Sequence, residues 1–239
     1  TKGGPGLVRA TPFGNTLTTD FALTVIKEMS LGEDAIPDFL ALSYSSTDYV
    51  GHQFGVHSKE VQDTYMRLDR DLQRLLDYLD EKIGNENILV FLTADHGAAE
   101  TVPFLKDIRI PTGILEERQL VKDLNTHLES VFGVRMPYVN AVVNQQVYVN
   151  EQVLPIAKLE AEPVRKAIVA YLIKLPGIRY AVTKEELFTV ASELPFIELV
   201  RRGFHPQRSG DVIFHLEPAW LPEPTFASGG TTHGSPYAY

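Results

Sequence analysis

The chain has no cysteine among its 239 residues. Disulfides and thiolate metal sites are therefore excluded, and any metal ion must be held by oxygen and nitrogen ligands. Long apolar runs are also missing. Residues 167–173 form one of the longest, far short of a membrane span. No basic stripe stands out either. Lys and Arg number 22 against 31 Asp and Glu, for a net charge of −9, which argues against a nucleic-acid surface. The first residues do not read as a signal peptide, and the chain does not begin with Met. The chain starts at Thr1-Lys2-Gly3-Gly4 and stops six residues after His233, so a fragment of a larger protein is expected. Internal repeats and low-complexity segments are absent.

What is present is ordinary for a globular chain. Apolar residues make up 44% and charged residues 22%, enough for one large or two small domains. Asn15 is a candidate helix cap ahead of Leu17, Phe21, Val25 and Met29, which recur every fourth residue. Residues 39–43 then read as a strand, and residues 44–57, holding Gly51 and Gly55, as a loop. Ser58 caps a long helix through Leu68, Leu75 and Ile83, stopped by Gly84. Ile88-Leu89-Val90-Phe91-Leu92 reads as a second, buried strand. Strand, helix, strand implies a parallel pair, with both strand ends at one edge of the sheet.

After Gly113 the texture changes. A helix near 116–131 leads to strands at 138–143 and 146–149 around Asn144-Gln145. Pro163 opens another helix, Ile178 starts a strand, and Thr183-x-x-Glu186 is a capping box. Residues 211–216 form the last clear strand, followed by a Pro-rich return. The expected organisation is an α/β core part over 1–112, an α+β insertion over 113–207, and a return to the core over 208–239.

The chemistry sits in three Asp/His elements. Asp48-x-x-x-His52 follows the first predicted strand, Asp95-His96-Gly97 follows the second, and Thr231-Thr232-His233-Gly234 lies near the end. In open α/β sheets ligands bind beyond the carboxyl ends of strands. Asp and His without Cys is a ligand set expected for zinc in hydrolases. Asp48, His52, Asp95, His96 and His233 are thus candidate metal ligands for a pair of ions. Asp95 and His96 could serve one ion through a bent turn, or reach toward two. Glu100, four residues after His96, is a candidate to orient a ligand by hydrogen bonding. Thr231 and Thr232 are candidates to pin the loop before His233. His57, His127, His205 and His215 read as surface or structural residues.

The motifs Ser45-Ser46-Thr47-Asp48-Tyr49-Val50-Gly51-His52, Thr93-Ala94-Asp95-His96-Gly97 and Gly230-Thr231-Thr232-His233-Gly234 resemble those of the alkaline phosphatase superfamily. The resemblance is to its type I phosphodiesterase/nucleotide pyrophosphatase branch, and within that to the phosphate-irrepressible alkaline phosphatases. It implies a partial alkaline phosphatase-like parallel-sheet core with an inserted α+β subdomain. It also implies two zinc ions, one on Asp48, His52 and His233, the other on Asp95 and His96 with a further Asp and a Thr or Ser nucleophile. Nothing in residues 1–47 matches that Asp or that nucleophile, so the isolated chain is expected to be inactive. The substrate expected for the parent is a small phosphate monoester, with diesters the alternative. A sulfatase-like or phosphoglycerate mutase-like enzyme, or an inactive binding module, are the other readings. A periplasmic or secreted parent is expected by the same resemblance, with no membrane span in this chain.

Overall fold

The structure, a computed structural model, describes residues 4–189, 197–222 and 230–233. The described residues divide into two compact units. One takes in the chain up to Thr101 together with residues 230–233; the other begins at Val102 and runs to residue 222.

The first unit is built on three helices: α1 (Pro12–Glu28), α2 (Ser46–Phe54) and α3 (Lys59–Ile83), after a 3-10 turn over Pro5–Ala10. Ser58 caps α3, its hydroxyl accepting from the Val61 N–H at 3.1 Å. Residues 46–54, expected as loop, are helical. Gly51, read as loop punctuation, is instead a buried helical residue. Its carbonyl accepts from Thr231 N–H at 3.4 Å.

Helix α1 also differs from expectation. Pro12 starts it, and Asn15 is buried inside it rather than capping it. The buried face is Asn15, Thr19, Ala22 and Ile26, whereas Leu17, Phe21 and Met29 of the predicted apolar stripe are exposed. The polar contacts explain this orientation. Asn15 donates to Thr47 at 3.0 Å, Thr16 donates to Asp71 at 2.8 Å, and Thr19 shares a hydrogen bond with Tyr44 at 3.1 Å. Asp71 is itself buried and paired with Arg74 at 3.3 Å. Turning α1 over would strand these groups without partners, which costs about 1–3 kcal/mol each.

The two predicted strands of this unit are not paired. Residues 39–43 and 88–92 carry no ladder among the described residues. Phe39 is 91% exposed, Leu89 79% and Phe91 82%. An apolar run buries both its faces only when strands flank it and a layer covers each side. The described residues of this unit supply neither.

The second unit comprises α4 (Val102–Asp107), β1 (Gly113–Leu115), α5 (Glu117–Phe132), β2 (Val139–Val143), β3 (Gln146–Val149), α6 (Leu154–Ala157), α7 (Ala161–Leu172), β4 (Ile178–Thr183), α8 (Ile197–Gly203), β5 (Val212–Leu216) and β6 (Trp220–Pro222). Four strands form an antiparallel sheet in the order β2-β3-β5-β4. Asn144 and Gln145 take φ of 50° and 61°, the left-handed pair that a two-residue hairpin needs. The capping box closes in both directions. Thr183 N–H donates to Glu186 Oε2 at 3.1 Å, and Glu186 N–H donates to Thr183 Oγ1 at 3.2 Å.

One face of this sheet carries Ala181, Val212, Phe214 and Leu216 against Leu124 and Leu128 of α5 and Val164 and Ile168 of α7. Tyr180, Val182 and Ile213 form a smaller cluster with Leu187 and Ile197. Strand β5 is central in this sheet, so the α+β region extends past the expected boundary at 207. The Pro-rich return is structured in part: β6 pairs in parallel with β1, Gly113 opposite Trp220. Parallel pairing is thus present in the α/β fold, though between different segments from those predicted.

Candidate metal centre

Three segments of the first unit supply the Asp and His residues. Helix α2 carries Asp48 and His52 one turn apart, so both project from the same side. Residues 95–96 follow the exposed apolar run, and residues 230–233 lie against both. Gly230 makes that approach possible. A Cβ there would overlap the backbone carbonyl of His52. Thr231 then ties the three segments together. Its carbonyl lies 2.9 Å from His52 Nδ1, its hydroxyl donates to the Ala99 carbonyl, and the Thr232 carbonyl accepts from Ala99 N–H at 3.0 Å.

The result is a convergence of ligand atoms. One atom each from Asp48, His96 and His233 lie within 4.8 Å of one another. The His96 and His233 rings stack with centroids 3.9 Å apart, and His52 lies 5.2 Å from His233. His52 Nε2 is 3.2 Å from Asp48 Oδ2, and His96 Nε2 is 3.5 Å from Asp95 Oδ2. The five predicted residues therefore occupy one neighbourhood. The tightest group takes His96 with Asp48 and His233, whereas the expected grouping was His52 with those two.

The donor set fits a cation. A carbonyl oxygen only accepts, so the nitrogen facing it carries the proton. His52 Nδ1 faces Thr231 O, and His96 Nδ1 faces Gly97 O, both at 2.9 Å. In the neutral ring each Nε2 then carries the lone pair that can bind a cation, with a carboxylate oxygen 3.2 Å away at His52 and 3.5 Å away at His96. Metal-ligating histidines are held in this way, with the second ring nitrogen bonded to a carbonyl or carboxylate. Burial pushes the His233 imidazole below its ordinary pKa, and His96 and His52 push the same way against the pull of Asp48 and Asp95. Desolvation favours the neutral form, the form that can ligate.

Glu100 does not reach a ligand histidine. Its Oε1 lies 2.8 Å from His57 Nε2 instead. The backbone role of Ala99 and the close approach at Gly230 had no signal in the sequence, because backbone groups carry no residue code. The other histidines lie elsewhere. His127 rests on Tyr171, His205 accepts from Gln207 N–H, and His215 stacks on Tyr180.

A family model of type I phosphodiesterases and nucleotide pyrophosphatases matches residues 7–236. The chain belongs to this family. Among its relatives, alkaline phosphatase PafA of Elizabethkingia meningoseptica is 42% identical over 95% of this chain and 41% of its own length. The Myroides odoratus protein named calcium-transporting ATPase is 41% identical over 100% of this chain and 43% of its own length. The crystal structure of wild-type alkaline phosphatase PafA superposes with a TM-score of 0.90 at 40% identity, covering 97% of this chain and 44% of that one. The chain thus spans less than half the length of these family members. Among the described residues, no helix is long and apolar enough to cross a membrane.

Proposed function

We propose that this chain forms the metal-binding part of a phosphate ester hydrolase, with Asp48, His52, Asp95, His96 and His233 as ligands of two zinc ions. The observation that carries the reading is the convergence of Asp48, His96 and His233 within 4.8 Å, with His52 and His96 each anchored through Nδ1. Likeness to proteins named alkaline phosphatase supports phosphomonoesters as substrates. When bound, a zinc pair neutralises the charge on the attacking and leaving oxygens of an in-line phosphoryl transfer.

The chain's own residues orient the ligands. Thr231 holds the His52 tautomer and, through Ala99, the segment that carries His96. A Thr or Ser nucleophile and one further Asp come from residues outside this sequence. The exposed runs at 39–43 and 88–92 and the exposed Phe13, Leu17 and Phe21 support that reading, because segments outside this sequence would cover them. A periplasmic or secreted location for the whole protein goes with the same reading.

Zinc calorimetry on the chain, with Asp48→Ala and His233→Ala beside it, tests the ligand set. Zinc binding that both changes weaken by at least ten-fold is expected. Binding that neither change weakens overturns it. The chain alone is expected to hydrolyse a phosphomonoester no faster than buffer. Zinc-dependent turnover by the chain, abolished by Asp95→Ala, would place the nucleophile within these residues.

A further inference from the structure

We propose that His57 and Glu100 are a positioning pair that sets the spacing between the two ligand-bearing segments, and so the affinity of the centre for metal. The proposal rests on the reading of Asp48, His52, Asp95, His96 and His233 as ligands. His57 lies five residues after His52, and Glu100 four residues after His96. Their 2.8 Å contact therefore joins the chain just beyond one ligand pair to the chain just beyond the other.

A second close approach lies beside it. Gly55 has φ of 88°, and a Cβ there would lie 2.6 Å from the Thr101 side chain. The two segments thus meet at 55–57 and 100–101, about one helical turn of sequence from the ligands. On the far side of Glu100, Ala99 is bonded through N–H to Thr232 and through its carbonyl to Thr231. A displacement of Glu100 is passed through one peptide to the segment that carries His233.

Stability is not what the pair supplies. His57 is 65% exposed and Glu100 27%, and a pair so open to water contributes little to folding. Placement is a different matter. Glu100 Oε2 is buried with no hydrogen-bond partner among the described residues, so its carboxylate is anchored through Oε1 alone. Without His57 the carboxylate has every reason to swing toward water and take Ala99 with it. Partners that orient ligands at one remove commonly change metal affinity by about 10–100-fold when lost.

The test is a double-mutant cycle on the 239-residue chain, with zinc titrations of the wild type, Glu100→Ala, His57→Ala and the double variant. Urea unfolding midpoints are measured alongside. Hydrogen exchange of the Ala99 amide is read without metal. Each single change is expected to weaken zinc about ten-fold and to speed Ala99 exchange. The double variant is expected to do no more than either single, with unfolding midpoints nearly unchanged. His57→Gln, which keeps a donor, is expected to restore both readouts.

Wild-type zinc affinity and wild-type Ala99 exchange in both single variants overturn the proposal, as do fully additive losses in the double. If the wild-type chain binds no zinc, the metal reading fails and with it the effect on affinity. The exchange arm then still decides whether the pair holds Ala99. Should Glu100→Ala fail to fold, the exposed His57→Ala and its rescue by Gln decide the proposal without it.

Discussion

Gly230→Ala is the sharpest single perturbation of the metal centre. The methyl group would occupy the space of the His52 carbonyl oxygen, which belongs to helix backbone and cannot swing aside. Residues 230–233 must therefore move away from α2. Beside the long Thr231 N–H to Gly51 O contact at 3.4 Å, three hydrogen bonds hold them there: His52 Nδ1 to Thr231 O at 2.9 Å, Ala99 N–H to Thr232 O at 3.0 Å, and the Thr231 hydroxyl to Ala99 O. At about 1 kcal/mol each, their loss comes to about 3 kcal/mol, roughly two orders of magnitude in an equilibrium constant. The loss falls on His233, whose ring is carried by this segment, and on His52, whose ring loses the bond that orients it. Zinc affinity of the chain should drop about 100-fold. Far-UV circular dichroism should stay the same, since the helices of the first unit make their own backbone bonds. Zinc calorimetry and far-UV circular dichroism on the wild type and Gly230→Ala measure the two. Zinc affinity within three-fold of wild type would refute the reasoning, because the segment could then move without moving the ligands.

Three further outcomes follow from the same structure. Burial, with Arg179 adding to it, holds His215 below its ordinary pKa of 6.5, so the unfolded chain binds that proton first as pH falls. Stability of the second unit should therefore be full above pH 6.5 and decline below it; His215→Gln should flatten the part of that slope in urea midpoints between pH 7.5 and 5.5. Phe214→Ala empties a fully buried site between the sheet and its helices and should cost about 3–5 kcal/mol in urea unfolding. Ser58→Ala removes the hydroxyl that caps α3 and should cost about 1 kcal/mol of stability in the first unit, read as a lower thermal midpoint.

Local signals were legible where local physics decides the outcome. The Ser58 cap, the Asn144-Gln145 hairpin and the Thr183 capping box each satisfy backbone groups within a few residues, and each forms. Helix α2 is not legible locally, because two glycines in the 44–57 stretch read as loop. One of them, Gly51, sits inside the helix and bonds through its carbonyl to Thr231, and a contact with residue 231 leaves no trace in residues 44–57. The α1 stripe shows a helix without showing its covered face, for a related reason. Apolar periodicity identifies a helix but not which side is covered, and here buried hydrogen bonds from Asn15, Thr16 and Thr19 decide.

By itself the sequence determined the chemical kind of this protein. Absence of cysteine limited any metal site to oxygen and nitrogen ligands, and the Asp/His motifs named the residues that could serve. Those are properties of residue types and short spacings. Only the tertiary structure decided which of them meet. His52 and His233 are 181 positions apart, and their nearness depends on Gly230 having no side chain and on Thr231 bonding to two segments at once. Glu100 turns to His57 rather than to a ligand, a pairing that its spacing from His96 does not carry. Long-range pairing is settled by which backbones can approach closely enough to share hydrogen bonds, and that is a property of the folded chain.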